Sequence, residues 1–302
     1  MTTAPTIDTE VTTSPVVKAF FDRPTGSLQY VFHDPATMKG AIVDPVWNFY
    51  PEAGAVTTDS ADEILAYVKE TGIDVVWVLD THPHADHFSS APYIAEQLGG
   101  VPRAIGEKVR DIQKLWKGIY NLPEDFPTDG SQWDKLFHSG DEFEVGNIMV
   151  KVLFSPGHTL GSITYVAGDA AFVHDTLMYP ESGTSRADFP GGSSEVLWNS
   201  IREILDLPGN TRLFVGHDYP EEGEAPKFEA TVDEHRARNK HVKDGITKEE
   251  FIRTRDARDG TLKLPARMLA ALQVNIRGGR LPEPESDGHS YLKLPIGKFE
   301  PR

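Results

Sequence analysis

The chain of 302 residues contains no cysteine. Disulfides, thiolate ligands and a cysteine nucleophile are therefore excluded, and any metal must be held by nitrogen and oxygen. It also lacks an uninterrupted apolar stretch approaching the roughly 20 residues that a membrane helix needs. The Thr-rich, partly acidic start, Met1 to Ser14, has neither the basic-plus-apolar pattern of a secretory signal nor the arginines of a transit peptide. A soluble, cytoplasmic protein is expected, with no membrane partner and with a flexible tail over residues 1–20. Positive charge is scarce: 30 Lys and Arg against 46 Asp and Glu give a net charge of −16, which argues against nucleic acid as a partner. The sequence shows no Gly-rich phosphate loop and no Gly-x-Ser-x-Gly elbow.

What is present is a concentration of metal-ligand chemistry. Thr81-His82-Pro83-His84-Ala85-Asp86-His87 follows the apolar run Val75-Val76-Trp77-Val78-Leu79. That run is short, β-branched and unalternating, as in a strand buried on both faces, and sites in layered α/β folds gather beyond the carboxyl ends of such strands. His82 and His84 project to the same side of an extended segment, and His84 and His87 lie about one turn apart if a helix starts near Asp86. Three more candidates each follow a short hydrophobic run: His158 in Ser155-Pro156-Gly157-His158-Thr159, Asp175 in Phe172-Val173-His174-Asp175-Thr176, and His217 in Phe214-Val215-Gly216-His217-Asp218-Tyr219. His33, His138, His174, His235, His241 and His289 have no such context and read as surface or core residues.

The pattern predicts strands at Ser27 to His33 and Gly40 to Val43, a helix at Ala61 to Lys69 capped by Asp59 or Ser60, and a helix around Ala91 to Leu98. A long connection through 121–140 carries aromatics and could cover a site; packing on its own helix is the commoner explanation. Strands follow at Ile148 to Phe154, Ser162 to Val166 and Ala171 to His174, then a helix at Glu195 to Asp206 and a strand at Thr211 to Val215. Helices are expected to dominate after Lys227. The organisation expected is a tail (1–20), a core (21–225) and a mainly helical C-terminal extension (226–302). Residues 231–302 hold 15 of the 30 basic but only 11 of the 46 acidic residues, so a small anionic ligand could be held there.

His82, His84, Asp86 and His87 form the pattern H-x-H-x-D-H, and with His158, Asp175 and His217 in that order the chain resembles the metallo-β-lactamase superfamily. That resemblance implies an α/β fold, the αββα sandwich, with the site between its halves. Two chemistries fit the ligands. In one, His82, His84 and His158 hold one zinc, Asp86, His87 and His217 a second, and Asp175 bridges, giving a dinuclear hydrolase of glyoxalase II or lactonase type with two Zn(II) per chain. In the other, His82, His158 and Asp175 alone hold one Fe(II), leaving positions open for substrate and oxygen.

The segments around the ligands bear on that choice. His174-Asp175-Thr176-Leu177, Gly183 to Gly192, Gly216-His217-Asp218-Tyr219 and Leu272 to Pro282 are similar to the persulfide dioxygenases, the bacterial relatives of the mitochondrial sulfur dioxygenase. Glyoxalase II enzymes carry a Gly-Arg-x-Phe-x-Gly type segment where this chain has Arg186-Ala187-Asp188-Phe189. The similarity runs from about Gly26 to Pro295. It implies oxidation of glutathione persulfide by O2 to sulfite and glutathione, with one Fe(II) on His82, His158 and Asp175, and with His84, Asp86, His87 and His217 in supporting roles around it. Compositional chance is the commoner explanation for the absence of cysteine; the sharper one is that an enzyme handling reactive sulfur gains from having no thiol of its own to be modified.

A glutathione site needs a well-placed cation and several donors. Arg277 with Asn275 is the first candidate; Arg236, Arg238 and Asn239 are others. Arg186 is expected to pair with Asp188 and hold its loop, and Tyr219 to hydrogen-bond an oxygen or sulfur near the metal as a catalytic group. Animal-type members have a cysteine where this chain has Gly278, so no role of that thiol operates here. A homodimer is common in such relatives.

Overall fold

The computed structural model describes residues 14–300. Most of the tail expected over residues 1–20 lies outside them. Its described part is ordered, because β1 (Val16–Asp22) pairs antiparallel with β2 (Ser27–His33) and buries Phe20 in one apolar cluster with Val31. The alternating burial of β1 shows why the composition of this stretch concealed it: a half-exposed edge strand carries little hydrophobic signal.

The chain continues through β3 (Lys39–Val43), β4 (Val46–Tyr50), β5 (Ala55–Thr57), α1 (Asp59–Thr71), β6 (Asp74–Leu79), β7 (Phe88–Ser89), α2 (Ala91–Gln97), β8 (Arg103–Gly106), α3 (Val109–Tyr120) and β9 (Lys135–Phe137). The second half runs through β10 (Glu142–Val145), β11 (Ile148–Phe154), β12 (Ile163–Ala167), β13 (Ala170–His174), α4 (Ser194–Leu205), β14 (Arg212–Val215), β15 (Glu229–Thr231), α5 (Val232–Arg238), α6 (Lys248–Asp259) and α7 (Met268–Asn275). One six-stranded sheet has the order β1-β2-β3-β6-β8-β9, and a second the order β10-β11-β12-β13-β14-β15. Strands β3, β6, β8 and β9 are parallel, as are β13 and β14, so their carboxyl ends lie on common edges.

The inner faces of the two sheets share one core. Phe32 stacks on Phe172 with ring centroids 5.0 Å apart, Tyr30 meets Phe214 edge-on at 5.4 Å, and Phe172 stacks on Phe214 at 5.3 Å. Tyr30 Oη donates to Val215 O (2.6 Å) and Tyr165 Oη to Asp80 O (3.0 Å), which ties each sheet to a strand end of the other. The outer face of the first sheet, with Val31, Ile42 and Val78, is covered by Ile64 and Val68 of α1 and Ile94 of α2. Leu197, Ile201 and Ile204 of α4 join the apolar cluster of the second sheet. This is the α/β sandwich of two helix-covered sheets.

Helix starts follow local chemistry. Ser193 Oγ caps α4, and Thr231–Glu234 and Thr247–Glu250 form reciprocal capping boxes on α5 and α6. α1 departs from expectation: Asp59 is its first residue, and Thr58 before it makes no side-chain cap bond. The connection through 121–140 contains β9, and Trp116, Tyr120 and Trp133 are buried in packing. The C-terminal segment supplies α5, α6 and α7, but its first strand, β15, extends the second sheet by pairing with β14, and residues 276–300 carry no helix. An extension starting at residue 226 therefore divides that sheet, because an edge strand of three residues has too little pattern to be seen.

Phe172 contacts aromatic rings of both sheets, so Phe172→Ala opens the shared core. A loss of about 3–5 kcal/mol is expected, measured by urea unfolding.

Candidate metal centre

The site forms where five chain segments leave the two sheets. Asp44 directly follows β3, and its φ of 50° turns the chain so that its carboxylate meets the neighbouring parallel strand end. There Asp44 accepts from Thr81 N (2.7 Å) and Thr81 Oγ1 (2.7 Å). With its own proton committed to Asp44, Thr81 Oγ1 accepts from His82 Nδ1 at 3.0 Å. The His82 ring proton is therefore on Nδ1, and Nε2 presents a lone pair that has no hydrogen-bond partner. The turn between β11 and β12 carries His158, whose Nδ1 donates to Arg186 O (2.8 Å) and likewise frees Nε2. Asp175 follows β13 directly, and its Oδ2 lies 3.7 Å from His82 Nε2 and 3.5 Å from His158 Nε2.

Two imidazole lone pairs and one carboxylate oxygen thus converge, buried and with His82 Nε2 unpartnered. A buried polar atom without a partner calls for an explanation, and a cation fits this donor set. Burial lowers the pKa of both His82 and His158, which keeps them neutral, as metal ligands must be. Burial alone would raise the Asp175 carboxyl, but the facing, hydrogen-bonded His217 ring outweighs it and holds the carboxyl ionised.

Of the remaining four residues of the sequence motif, the three histidines each contact a carboxylate. His217 contacts Asp175 Oδ1 through Nδ1 (2.6 Å) and Asp86 Oδ2 through Nε2 (2.8 Å), so both nitrogens donate. Burial opposes its charge, yet Asp175 and Asp86 raise its pKa well above the ordinary value. Asp86 Oδ2 also accepts from Ser27 Oγ (2.8 Å) and lies 2.9 Å from His87 Nδ1. His84 Nε2 sits 3.0 Å from Asp44 Oδ1, an ionic contact without hydrogen-bond alignment, and there too the carboxylate outweighs burial and raises the pKa to about 9. His84, Asp86 and His87 form a second group, and Asp86, Asp175 and His217 a third, whose ligand atoms lie within 4.8 Å of one another.

Two glycines make this crowding possible. A Cβ on Gly216 would stand 2.5 Å from Asp175 Oδ1, and one on Gly26, where φ is +72°, would stand 2.5 Å from the Tyr219 ring. Tyr219, 70% exposed, lies parallel to His217 at 6.0 Å. It stands beside a cavity of about 670 Å³ that His158, Asp175 and His217 also line.

The expected substrate contacts lie elsewhere. Asn275 Nδ2 donates to His84 O (2.7 Å) and His87 O (2.8 Å), and its Oδ1 accepts from Ser89 N (2.8 Å). Asn275 therefore pins the ligand loop. Arg277 donates to Gln273 O and covers the Phe126 ring at 5.0 Å. Arg236 pairs with Asp244 and Arg238 with Glu181 and Glu234, while buried Asn239 accepts from His241 N and donates to Gly183 O. None of these five lines the cavity; its basic wall is Lys240 and Arg258, with Arg255 tied to Asp259 at 2.6 Å, while burial lowers the pKa of the lining His241 to about 4. Arg186 clasps Asp188 through Nε (2.6 Å) and Nη2 (2.9 Å). Sequence reasoning missed Asp44, Thr81 and Ser27 as orienting groups. Asp44, directly before Pro45 at a strand end, was the one with a local signal.

Residues 37–217 match the family described as the metallo-beta-lactamase superfamily. The chain belongs to that superfamily. It is 59% identical over 286 residues to the "Beta-lactamase hydrolase-like protein" of Agrobacterium fabrum, covering 95% of this chain but only 66% of that protein's length. "Glyoxylase B2" of Dictyostelium discoideum is 44% identical, covering 93% of this chain and 96% of that protein. "Persulfide dioxygenase ETHE1, mitochondrial" of Bos taurus is 27% identical over 87% of this chain and 89% of its own. Among solved structures, ETHE1 from Myxococcus xanthus superposes with a TM-score of 0.69 at 27% identity, covering 88% of this chain and all of that one. No helix among the described residues is long and apolar enough to cross a membrane.

The protonation pattern predicts how metal enters. A first divalent ion on His82, His158 and Asp175 at pH 7 releases almost no protons, since neither ring carries an extra one. Filling both metal positions engages His84 and His217 as well and must expel a proton from each ring, so the second equivalent binds more weakly as pH falls below about 9. Titration calorimetry in buffers of different ionisation enthalpy reads both; large proton release with the first equivalent contradicts the assignment.

Proposed function

We propose that this chain is a non-haem Fe(II) persulfide dioxygenase that oxidises glutathione persulfide with O2 to sulfite and glutathione. The observation that carries the reading is the isolation of one ligand set: His82, His158 and Asp175 Oδ2 converge with their other polar atoms already committed to Thr81, Arg186 and His217. Ferrous iron held by these three would supply a redox change that zinc lacks, together with open positions for sulfur and oxygen. The 27% identity to a persulfide dioxygenase across most of both chains supports the same reading. The reaction balances with one water: glutathione persulfide, O2 and H2O give glutathione, sulfite and two protons.

The chain's own groups have defined tasks in it. His217, held cationic between Asp86 and Asp175, faces the cavity and favours an anionic sulfur there. Lys240 and Arg258, cavity-lining cations outside every ion pair found among the described residues, suit the carboxylates of glutathione. Phe189, Met178, Leu262 and Pro265 supply an apolar wall that limits water around the reacting sulfur. The Tyr219 phenol, beside His217, is positioned to donate to the substrate's sulfur or oxygen.

A dinuclear zinc hydrolase of glyoxalase II or lactonase type is the second reading. It is favoured by the Nε2 atoms of His84 and His87, neither of which has a hydrogen-bond partner, and by the names of the relatives at 59% and 44% identity.

Anaerobic loading with Fe(II), metal counting and an oxygen-electrode trace on adding glutathione persulfide separate the two. The expected result is one iron per chain, oxygen uptake and matching sulfite, with iron lost in His158→Ala and retained in His87→Ala. Two zinc ions per chain, no oxygen uptake and turnover of a thioester or lactone would overturn the dioxygenase.

A further inference from the structure

We infer that His174 is a positioning residue of the metal centre, fixing the main chain of Asp175 and backing the ring of His82. The inference rests on His82, His158 and Asp175 as the metal ligands. His174 ends β13 with a φ of 39°, in the left-handed region that a bulky residue adopts only where its surroundings impose it. The ladder between β13 and β14 shifts register between Phe172 and His174, and the buried Asp175 N–H donates to His174 Nδ1.

With Nδ1 accepting, the ring proton lies on Nε2, which faces Thr176 Oγ1 at 3.1 Å and Ser155 Oγ at 3.3 Å. Thr176 Oγ1 donates onward to Ser155 O (3.4 Å). The His82 ring lies 5.0 Å away, tilted by 45°. One side chain therefore touches the amide of one ligand, the ring of a second, and Ser155, at the start of the turn that carries the third, His158.

Glycine and asparagine divide the possible reasons for a histidine here. Glycine adopts this φ without strain but leaves the Asp175 amide unpaired and the space behind His82 empty. Asparagine tolerates the left-handed region and offers Oδ1 as an acceptor near the place of Nδ1. Were His174 only a fold element, relief of strain in His174→Gly would leave the metal environment unchanged.

The test compares wild type, His174→Gly and His174→Asn for Co(II) affinity, the visible spectrum of the bound Co(II), and urea unfolding of the metal-free protein. His174→Gly is expected to unfold cooperatively yet bind Co(II) about 10- to 100-fold more weakly with a shifted spectrum, and His174→Asn to recover most of both. Wild-type affinity and spectrum in His174→Gly would overturn the role, as would equal losses in both variants. Should His174→Gly not fold, His174→Asn decides: a wild-type spectrum supports the acceptor role and an altered one overturns it. His158→Ala serves as the control, since wild-type Co(II) binding there would overturn the ligand set itself, whatever the His174 variants show.

Discussion

The structure of the centre depends on how Asp175 divides its two oxygens. Oδ2 faces His82 and His158, and Oδ1 takes the hydrogen bond of His217 at 2.6 Å. Because one oxygen is committed to a cationic ring, the other is held in a single direction. A charge-assisted bond of that length between buried partners is stiff as well as favourable. The division also requires β14 to end within contact of β13, which Gly216 allows and any side chain there would prevent.

Each ligand is oriented by a partner that belongs to a different part of the fold. Asp44, at the end of β3, sets the proton of Thr81 and through it the tautomer of His82. The Arg186 carbonyl sets His158, and that loop is held in turn by α6, through Asp259 to Ala187 N (2.8 Å) and Arg255 to Thr184 O (2.9 Å). Asn275, at the end of α7, fixes the carbonyls of His84 and His87. The C-terminal helices therefore act on the centre from behind the ligands as well as forming a cavity wall.

This arrangement explains which parts of the protein were legible in the sequence. The ligands could be read because each stands directly after a hydrophobic strand, where chain order and strand ends dictate position locally. The longer strands of the two sheets were legible for the same reason, whereas β1, β9, β10 and β15 are short or half exposed and leave little pattern. The cavity wall was not legible. Arg277 and Asn275 carry chemistry that suits a ligand, but whether α7 turns them towards the cavity or the ligand loop depends on packing against α3 and β7, which no local pattern encodes. Lys240 and His241 sat beside Arg238 and Asn239 in the same short stretch; the turn after α5, held by the Asn239 side chain, decides which of them reach the cavity.

The charges clustered at the centre bear on its metal count. Asp44, Asp86 and Asp175 face His84 and His217, both of which hold their protons through contact with those carboxylates. Three carboxylates and two imidazolium rings leave one net negative charge, which a single divalent ion on His82, His158 and Asp175 turns into one net positive charge. A second divalent ion that displaced both ring protons would leave that total unchanged. The protons on His84 and His217 thus occupy the electrostatic place of a second metal. All seven side chains of the centre can therefore stay balanced around one ion. The lever that moves it between the two states is the basicity of two histidines, set by Asp44 on one side and by Asp86 and Asp175 on the other.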